Sequence, residues 1–275
     1  MTTEPTPNTV ERRRWNDEYW VSVWHRREPM TDAVTQVLLD RLALTPGESV
    51  LDIGSGGGGT TIAAARLVAP GAVVGADIST PLVDSARRRA RERDVGNVDF
   101  VVADVQTDAI AGAPFDVAMS QFGVMFFEEP IVAFANIRSQ LSPSGRIGFA
   151  CWQPVDRNPW HSQSVLTDFV PPAPPPGPGK SPTGPFAFGD PDLVREILLS
   201  AGWRDVERTA HELVVTVGRD AFVDDEQLRF AGVPETSLDE ARQAVDNRLE
   251  PLNAGDGRIA APLAFQVFTA SAAAS

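Results

Sequence analysis

The sequence predicts an α/β protein built on a mostly parallel sheet with helices packed on both faces. Three observations carry this. Short apolar runs alternate with helical stretches from Val50 to Trp152, a glycine-rich loop links the first run to a helix, and an aspartate closes or follows three successive runs. Strands buried on both faces read as unbroken apolar runs, and parallel neighbours need a crossover helix between them.

Residues before about Asn8 are polar and read as disordered. Thr9 to Arg27 reads as a helix crowded with aromatics. On a 3.6-residue period Trp15, Tyr19 and Val23 share one face, and Trp20 and Trp24 share another. A helix with two greasy faces is sandwiched between two partners. One would be the parent domain and the other a bound substrate or a neighbouring subunit, which makes this helix a lid and a route to a homo-oligomer. Thr31 to Leu42 reads as a second helix, with Val34, Val37, Leu38 and Leu42 at core spacing and Pro46-Gly47 ending the segment.

Strands are expected at Val50–Ile53, Val73–Ala76, Val98–Val102, Phe115–Met119 and Ile147–Trp152. Between them lie helices at Thr60–Leu67, Pro81–Arg93 and Pro130–Leu141. After Trp152 the pattern changes. Pro171 to Pro185 is too rich in proline and glycine for a central strand or a helix interior, and fits either a solvated linker or a wall of the active site. Asp190 to Ala201 returns to a helix, with Asp190 as cap and Gly202 as stop. His211–Val217 reads as a strand, the acidic stretch Asp220–Leu252 as a helical insertion, and Pro262–Ala270 as the last strand.

Composition narrows the partners. The 275 residues are 43% hydrophobic and 22% charged, with a mean hydropathy of -0.12, which is ordinary for a globular chain. A net charge of -13 repels a phosphate backbone and an anionic membrane alike, so neither nucleic acid nor membrane is expected. The run Arg87, Arg88, Arg89, Arg91, Arg93 is interleaved with Glu92 and Asp94, and reads as a solvated helix face. Cys151 is the only cysteine, which rules out an intrachain disulfide and a multi-cysteine metal site; no metal is expected. The N-terminal residues lack an apolar signal core, and no stretch approaches the roughly 20 apolar residues that span a bilayer. The expected compartment is the cytoplasm.

The chemistry starts at Val50-Leu51-Asp52-Ile53-Gly54-Ser55-Gly56-Gly57-Gly58-Gly59-Thr60-Thr61. Glycines let the backbone approach a ligand, and the following helix N-terminus offers unpaired N–H groups. Taken alone the loop fits two templates. Gly54-x-Gly56-x-x-Gly59 matches a dinucleotide fingerprint, and Asp52-x-Gly54-x-Gly56-x-Gly58 matches the loop that holds S-adenosylmethionine (SAM). Its surroundings separate them. Asp52 ends the first strand, where a carboxylate engages the amino-acid part of a ligand. Asp77 lies 23 residues past Gly54, which suits a ribose diol in either family. Asp104 follows the third strand, where a carboxylate accepts from an adenine amino group. Short-chain hydride-transfer enzymes use a Tyr/Lys pair four residues apart, whereas here Tyr19 and Lys180 are the only tyrosine and lysine.

With these residues in view, the sequence resembles the class I SAM-dependent methyltransferases, in the small-molecule branch similar to the ubiquinone/menaquinone-biosynthesis C-methyltransferases. The resemblance rests on Val50 to Thr61, Gly75-Ala76-Asp77-Ile78-Ser79, Asp99 to Val105, Phe115 to Phe127 and Leu141 to Arg146. It implies a Rossmann-like, seven-stranded sheet of order 3-2-1-4-5-7-6 with the last strand antiparallel. It further implies that Asp52, Gly54 and Gly56 meet the amino-acid moiety of SAM, and Asp77 and Ile78 the ribose and adenine edge. Asp104 and Val105 would take the adenine, and Ser120 with Phe122 the floor beneath the sulfonium. Gln121 departs from the basic residue usual at its position. The organisation that follows is N-terminal helices over residues 1–45, a SAM-binding core over 46–152, and acceptor-side insertions with the last strands of the same domain over 153–275.

Methyl transfer is an in-line displacement in which the protein aligns the reactants and excludes water. An acceptor with a proton to lose needs a base, and His161, after Trp152 and Trp160, is the candidate among three histidines. Tyr19, the only phenol, is the candidate to orient the acceptor. Trp15, Trp20, Trp24, Phe122, Phe126, Phe127, Trp152 and Trp160 supply apolar walls, and so few basic residues favour a neutral, apolar or aromatic small molecule, methylated on oxygen or carbon. Two other readings stay open: a nicotinamide-dependent oxidoreductase and a SAM-binding protein without turnover.

Overall fold

The computed structural model describes residues 8–171, 176 and 180–272, so the disorder expected before Asn8 and much of the excursion at 171–185 fall outside the described residues. Two helices open the chain, α1 (Thr9–Trp15) and α2 (Glu18–Leu42). The break between them corrects the sequence expectation: it falls at Asn16-Asp17, and Pro29 lies inside α2 without ending it. The Asp17 carboxylate accepts the Tyr19 N–H at 3.0 Å and so starts a new helix. Proline removes a helical hydrogen bond, but buried Tyr19 and Val23 anchor the turns before Pro29, and Val34, Leu38 and Leu42 those after it. The break also regroups the aromatics. Trp15 packs on Trp20, with ring centroids 4.3 Å apart, rather than continuing the face of Tyr19 and Val23.

The sheet then assembles in chain order: β1 (Val50–Ile53), α3 (Gly59–Val68), β2 (Val73–Asp77), α4 (Thr80–Glu92), β3 (Val98–Val102), β4 (Phe115–Gln121), α5 (Pro130–Ser139) and β5 (Leu141–Trp152). The latter part holds α6 (Gln163–Leu166), α7 (Pro191–Ser200), β6 (Arg204–Gly218), α8 (Asp225–Phe230), α9 (Leu238–Leu249), β7 (Asn253–Gly255) and β8 (Arg258–Ser271). The strand order is 3-2-1-4-5-8-6, with β1 to β5 parallel and β8 antiparallel to both β5 and β6. Setting aside β7, a three-residue strand paired to β8, this is the seven-strand order the sequence implied. Strands β6 and β8 run longer than expected, because they pair with each other along almost their whole length.

Local signals explain the ends. Ser79 caps α4, and Asp190 caps α7 by accepting from the Asp192 and Leu193 N–H groups. Gly202 ends α7 with φ at +87°, a conformation that costs glycine little. The C-terminal half of α2 lies on β5, where fully buried Val34 and Leu38 each contribute about 1.5–3 kcal/mol through burial. On the opposite side Phe134, Phe149, Trp203 and Phe268 close the core beneath α5 and α7.

Two further expectations are corrected here. The arginine run on α4 is not wholly a solvated face. Arg89 donates to both oxygens of Glu28 on α2, at 2.8 and 2.7 Å, and to the Gly57 carbonyl at 2.6 Å. Likewise, the Tyr19 side of the aromatic helix meets this chain's own acidic insertion, while Trp20 and Trp24 line a cavity. Phe230 stacks on Tyr19 with centroids 4.6 Å apart, and Asp224 pairs with Arg26 at 2.9 Å. Among the described residues no helix is long and apolar enough to cross a membrane, and no cluster of His, Cys, Asp or Glu is placed to hold a metal.

Candidate active site

A cavity of about 310 Å³ opens at the C-terminal ends of β1 to β4, beneath α1 and the first half of α2. Open α/β sheets bind ligands at this edge, where the strand order reverses. The chain leaves β1 through Gly54, at φ +69°, and Gly56, at φ +52°, before α3 begins. A Cβ on Gly54 would lie 2.8 Å from the Gly123 Cα, and one on Gly56 would meet the Trp24 ring at 2.4 Å. The loop is therefore packed between the β4 exit on one side and the indole of α2 on the other.

The three strand-end acids all line this cavity. Asp52 is buried and accepts the Thr61 hydroxyl at 2.6 Å. Burial pushes its carboxyl up to about 7; the Thr61 bond opposes that, and the charge of Asp77 adds to it. Asp77 accepts the Gly56 N–H on one oxygen and the Ser79 N–H on the other, both at 2.8 Å, so it fixes the loop as well as facing the cavity. Burial raises its carboxyl too, against those backbone bonds. Asp104 accepts the carboxamide of Asn8 on both oxygens, at 2.8 and 3.0 Å, with the Gln106 N–H at 3.1 Å. Ile78 and Val105 contribute apolar wall beside them.

Ser120 is brought close but does not line the cavity. Its hydroxyl donates to the Ile53 carbonyl at 2.7 Å and accepts the Gly123 N–H at 3.2 Å, pinning the β4 exit against β1. Phe122, at φ +62°, stacks on Trp152 with centroids 3.9 Å apart, and Trp152 meets Trp160 edge-on at 5.2 Å. Gln121 turns toward α2, accepting from the Thr35 hydroxyl at 2.8 Å.

His161 lines the same cavity, its ring 5.5 Å from Trp160 and 4.8 Å from Phe186. Burial, and then the Arg27 charge, lower its imidazole to about 4, so it is neutral at physiological pH. Tyr19 does not line the cavity. It is buried against Phe230, and its hydroxyl accepts from Arg27 at 2.8 Å. Burial pushes the phenol up to about 12.

Sequence reasoning did not reach Asn8, Arg27, or the Glu28–Arg89 pair that ties α2 to the glycine loop. Their contacts span 96, 8 and 61 positions respectively, and no local spacing announces such partners.

Residues 50–145 match the family model described as a methyltransferase domain. Over 113 residues the chain is 35% identical to the aklanonic acid methyltransferase DauC of a Streptomyces species, covering 41% of this chain and 51% of that one. It is 35% identical to the nocamycin O-methyltransferase of Saccharothrix syringae over 42% of this chain and 41% of that one. The chain thus spans about half the length, or less, of these curated relatives. Among solved structures, the YcgJ protein of Bacillus subtilis superposes with a TM-score of 0.57 at 16% identity, over 88% of this chain and 98% of that chain, a likeness of fold. Strands β1 to β4, the glycine loop and the acid series all fall where the match to a methyltransferase domain lies.

Proposed function

We propose that the chain is a SAM-dependent methyltransferase acting on a small molecule, and that the cavity holds cofactor and acceptor end to end. One observation carries the reading: a single cavity runs from the three strand-end acids to the wall formed by Trp152, Trp160 and His161. The residues suit the cofactor. Asp52 faces where its ammonium group would lie, Asp77 its ribose diol and Asp104 its adenine amino group. Among the described residues the buried Trp24 Nε1 and Ser55 Oγ at the loop find no hydrogen-bond partner, and a polar ligand would satisfy such groups.

Bound SAM supplies an electrophilic methyl group on a sulfonium. The chain's part is placement and water exclusion. Phe122 on Trp152 makes a flat floor, and Trp15, Trp20 and Trp24 form the roof, so α1 and the first half of α2 act as the lid. A neutral His161 is a proton acceptor at the acceptor end, ready to take a hydroxyl proton as the oxygen attacks. The aromatic lining fits an apolar or aromatic acceptor.

The test is calorimetry with SAM, its demethylated product S-adenosylhomocysteine, NAD and NADP, followed by a search for metabolites that gain a methyl group. Tight binding of the first two is expected. A preference for the nicotinamide dinucleotides would overturn the reading, and binding with no methylated product from any extract would leave a SAM-binding protein without turnover.

A further inference from the structure

The charges around the cavity are unevenly matched. Six carboxylates line it: Glu11, Glu28, Asp32, Asp52, Asp77 and Asp104. Four of the six have clear partners in Arg14, Arg89, the loop N–H groups or Asn8, and Asp52 has the Thr61 hydroxyl. The only lysine or arginine among the lining residues is Arg27. Among the described residues it makes one hydrogen bond, to the Tyr19 hydroxyl at 2.8 Å, and no carboxylate stands within ion-pair distance. The nearest acid that acts on it, Asp224, is committed to Arg26 at 2.9 Å and to capping α8.

Arg27 is nevertheless held in place. Its guanidinium lies over the Tyr19 ring at 5.7 Å and over the Trp20 ring at 5.4 Å. Aromatic faces position a cation without neutralising it. A guanidinium offers five N–H donors in a planar fork, and here only one bond is made. A largely buried charge without a counter-ion is costly, and an anion arriving in the cavity offsets that cost. The side chain also lies at the acceptor end, close enough to His161 to act on its titration.

Building on the methyltransferase reading, we propose that Arg27 is the acceptor's anion site, and that the acceptor is a flat, apolar molecule carrying one carboxylate. The carboxylate meets the free edge of the guanidinium while the ring system lies along Phe122, Trp152 and Trp160. Tyr19 acts through Arg27 as a positioning residue: its oxygen holds one nitrogen and leaves the others facing the cavity. A phosphorylated acceptor is disfavoured, because a dianion would face one cation and six surrounding acids. This refines the expectation of a neutral acceptor drawn from the scarcity of basic residues.

The experiment uses 2-naphthoate and its neutral isostere 2-naphthamide, titrated calorimetrically into the full chain, with S-adenosylhomocysteine binding measured in parallel. Wild-type protein is expected to bind naphthoate about tenfold or more tighter than naphthamide. Arg27→Gln should erase that preference by weakening naphthoate alone, Arg27→Lys should keep part of it, and Tyr19→Phe should reduce it. S-adenosylhomocysteine affinity should stay unchanged in all three variants. Equal affinities in wild type, failure of naphthoate to bind, or a preference that survives Arg27→Gln would each overturn the proposal. Failure of S-adenosylhomocysteine to bind would strike the methyltransferase reading instead, while the naphthoate preference would still report on Arg27.

Discussion

The Asn8 carboxamide donates to both carboxylate oxygens of Asp104, at 2.8 and 3.0 Å, while its own oxygen accepts the Glu128 N–H. The bond is buried, and on the proposed reading it takes the place assigned to the adenine amino group. If the adenine docks there, it competes with a donor already in place. Asn8→Ala should tighten binding of S-adenosylhomocysteine several-fold, and Asp104→Ala should weaken it. A calorimetric titration of both variants checks the pair, and weaker binding in Asn8→Ala would show that the amide assists the ligand.

Asp52 makes the cofactor end sensitive to pH. Its carboxyl is raised to about 7, above its ordinary value, chiefly by burial. The folded state then holds a proton that the unfolded state has released, so the ligand-free protein loses stability as pH rises from about 4 to 7. Asp77 shifts in the same direction. A cationic amino group binding beside Asp52 favours its ionised form, so SAM affinity should rise between pH 6 and 8. Asp52→Asn should flatten that dependence and raise the melting temperature of the ligand-free protein at pH 8. An unchanged pH profile of the dissociation constant would remove Asp52 from the amino-acid subsite.

The two loop glycines should differ in what they tolerate. Both have positive φ, so any side chain is strained at either position. A Cβ at Gly54 meets the Gly123 backbone, whereas one at Gly56 meets the Trp24 side chain, which has freedom to move. Gly54→Ala is expected to destabilise the protein more than Gly56→Ala, by about 1–3 kcal/mol beyond the shared backbone cost. Denaturant unfolding of the two variants measures the difference, and Trp24→Ala should rescue only Gly56→Ala.

His161 is neutral from about pH 5 upward, its imidazole having been lowered to about 4. If it takes the acceptor's proton, His161→Gln should reduce kcat by about 10²-fold or more and leave SAM affinity unchanged. At saturating SAM, the wild-type rate should fall only as pH drops toward 4. A rate equal to wild type in His161→Gln would make the histidine part of the wall and nothing more.

Much of this architecture was legible before the coordinates. Short apolar runs such as Val50-Leu51-Asp52-Ile53 identify strands covered on both faces, and Asp52, Asp77 and Asp104 were locatable because each stands at or just past the end of its strand. The N-terminal helices were harder. Helical periodicity places Trp15 with Tyr19 only if the helix is continuous, and Asp17 restarts it with a single side-chain bond. The two helices expected on either side of Pro29 are one, because packing on both sides carries α2 through the proline. Nothing in the local spacing singles out Arg27, and Tyr19 reads from sequence as a residue that orients the acceptor. Their roles depend on Phe230, about 200 positions away, which occupies the face the phenol ring stacks on.

The proline inside α2 gives that helix two mechanical halves. Pro29 has no N–H to offer the His25 carbonyl, so opening the helix at that turn breaks one hydrogen bond fewer than at any other interior turn. Trp20, Trp24 and Arg27 before it touch the cavity, as do Met30, Thr31, Asp32 and Thr35 just after it, whereas Val34, Leu38 and Leu42 are embedded in the core. The weak link thus sits within the stretch of α2 that faces the cavity. Were the roof to lift to admit a ligand, Pro29 is the turn of α2 where bending would cost least. Replacing the proline would strengthen the helix and stiffen the door.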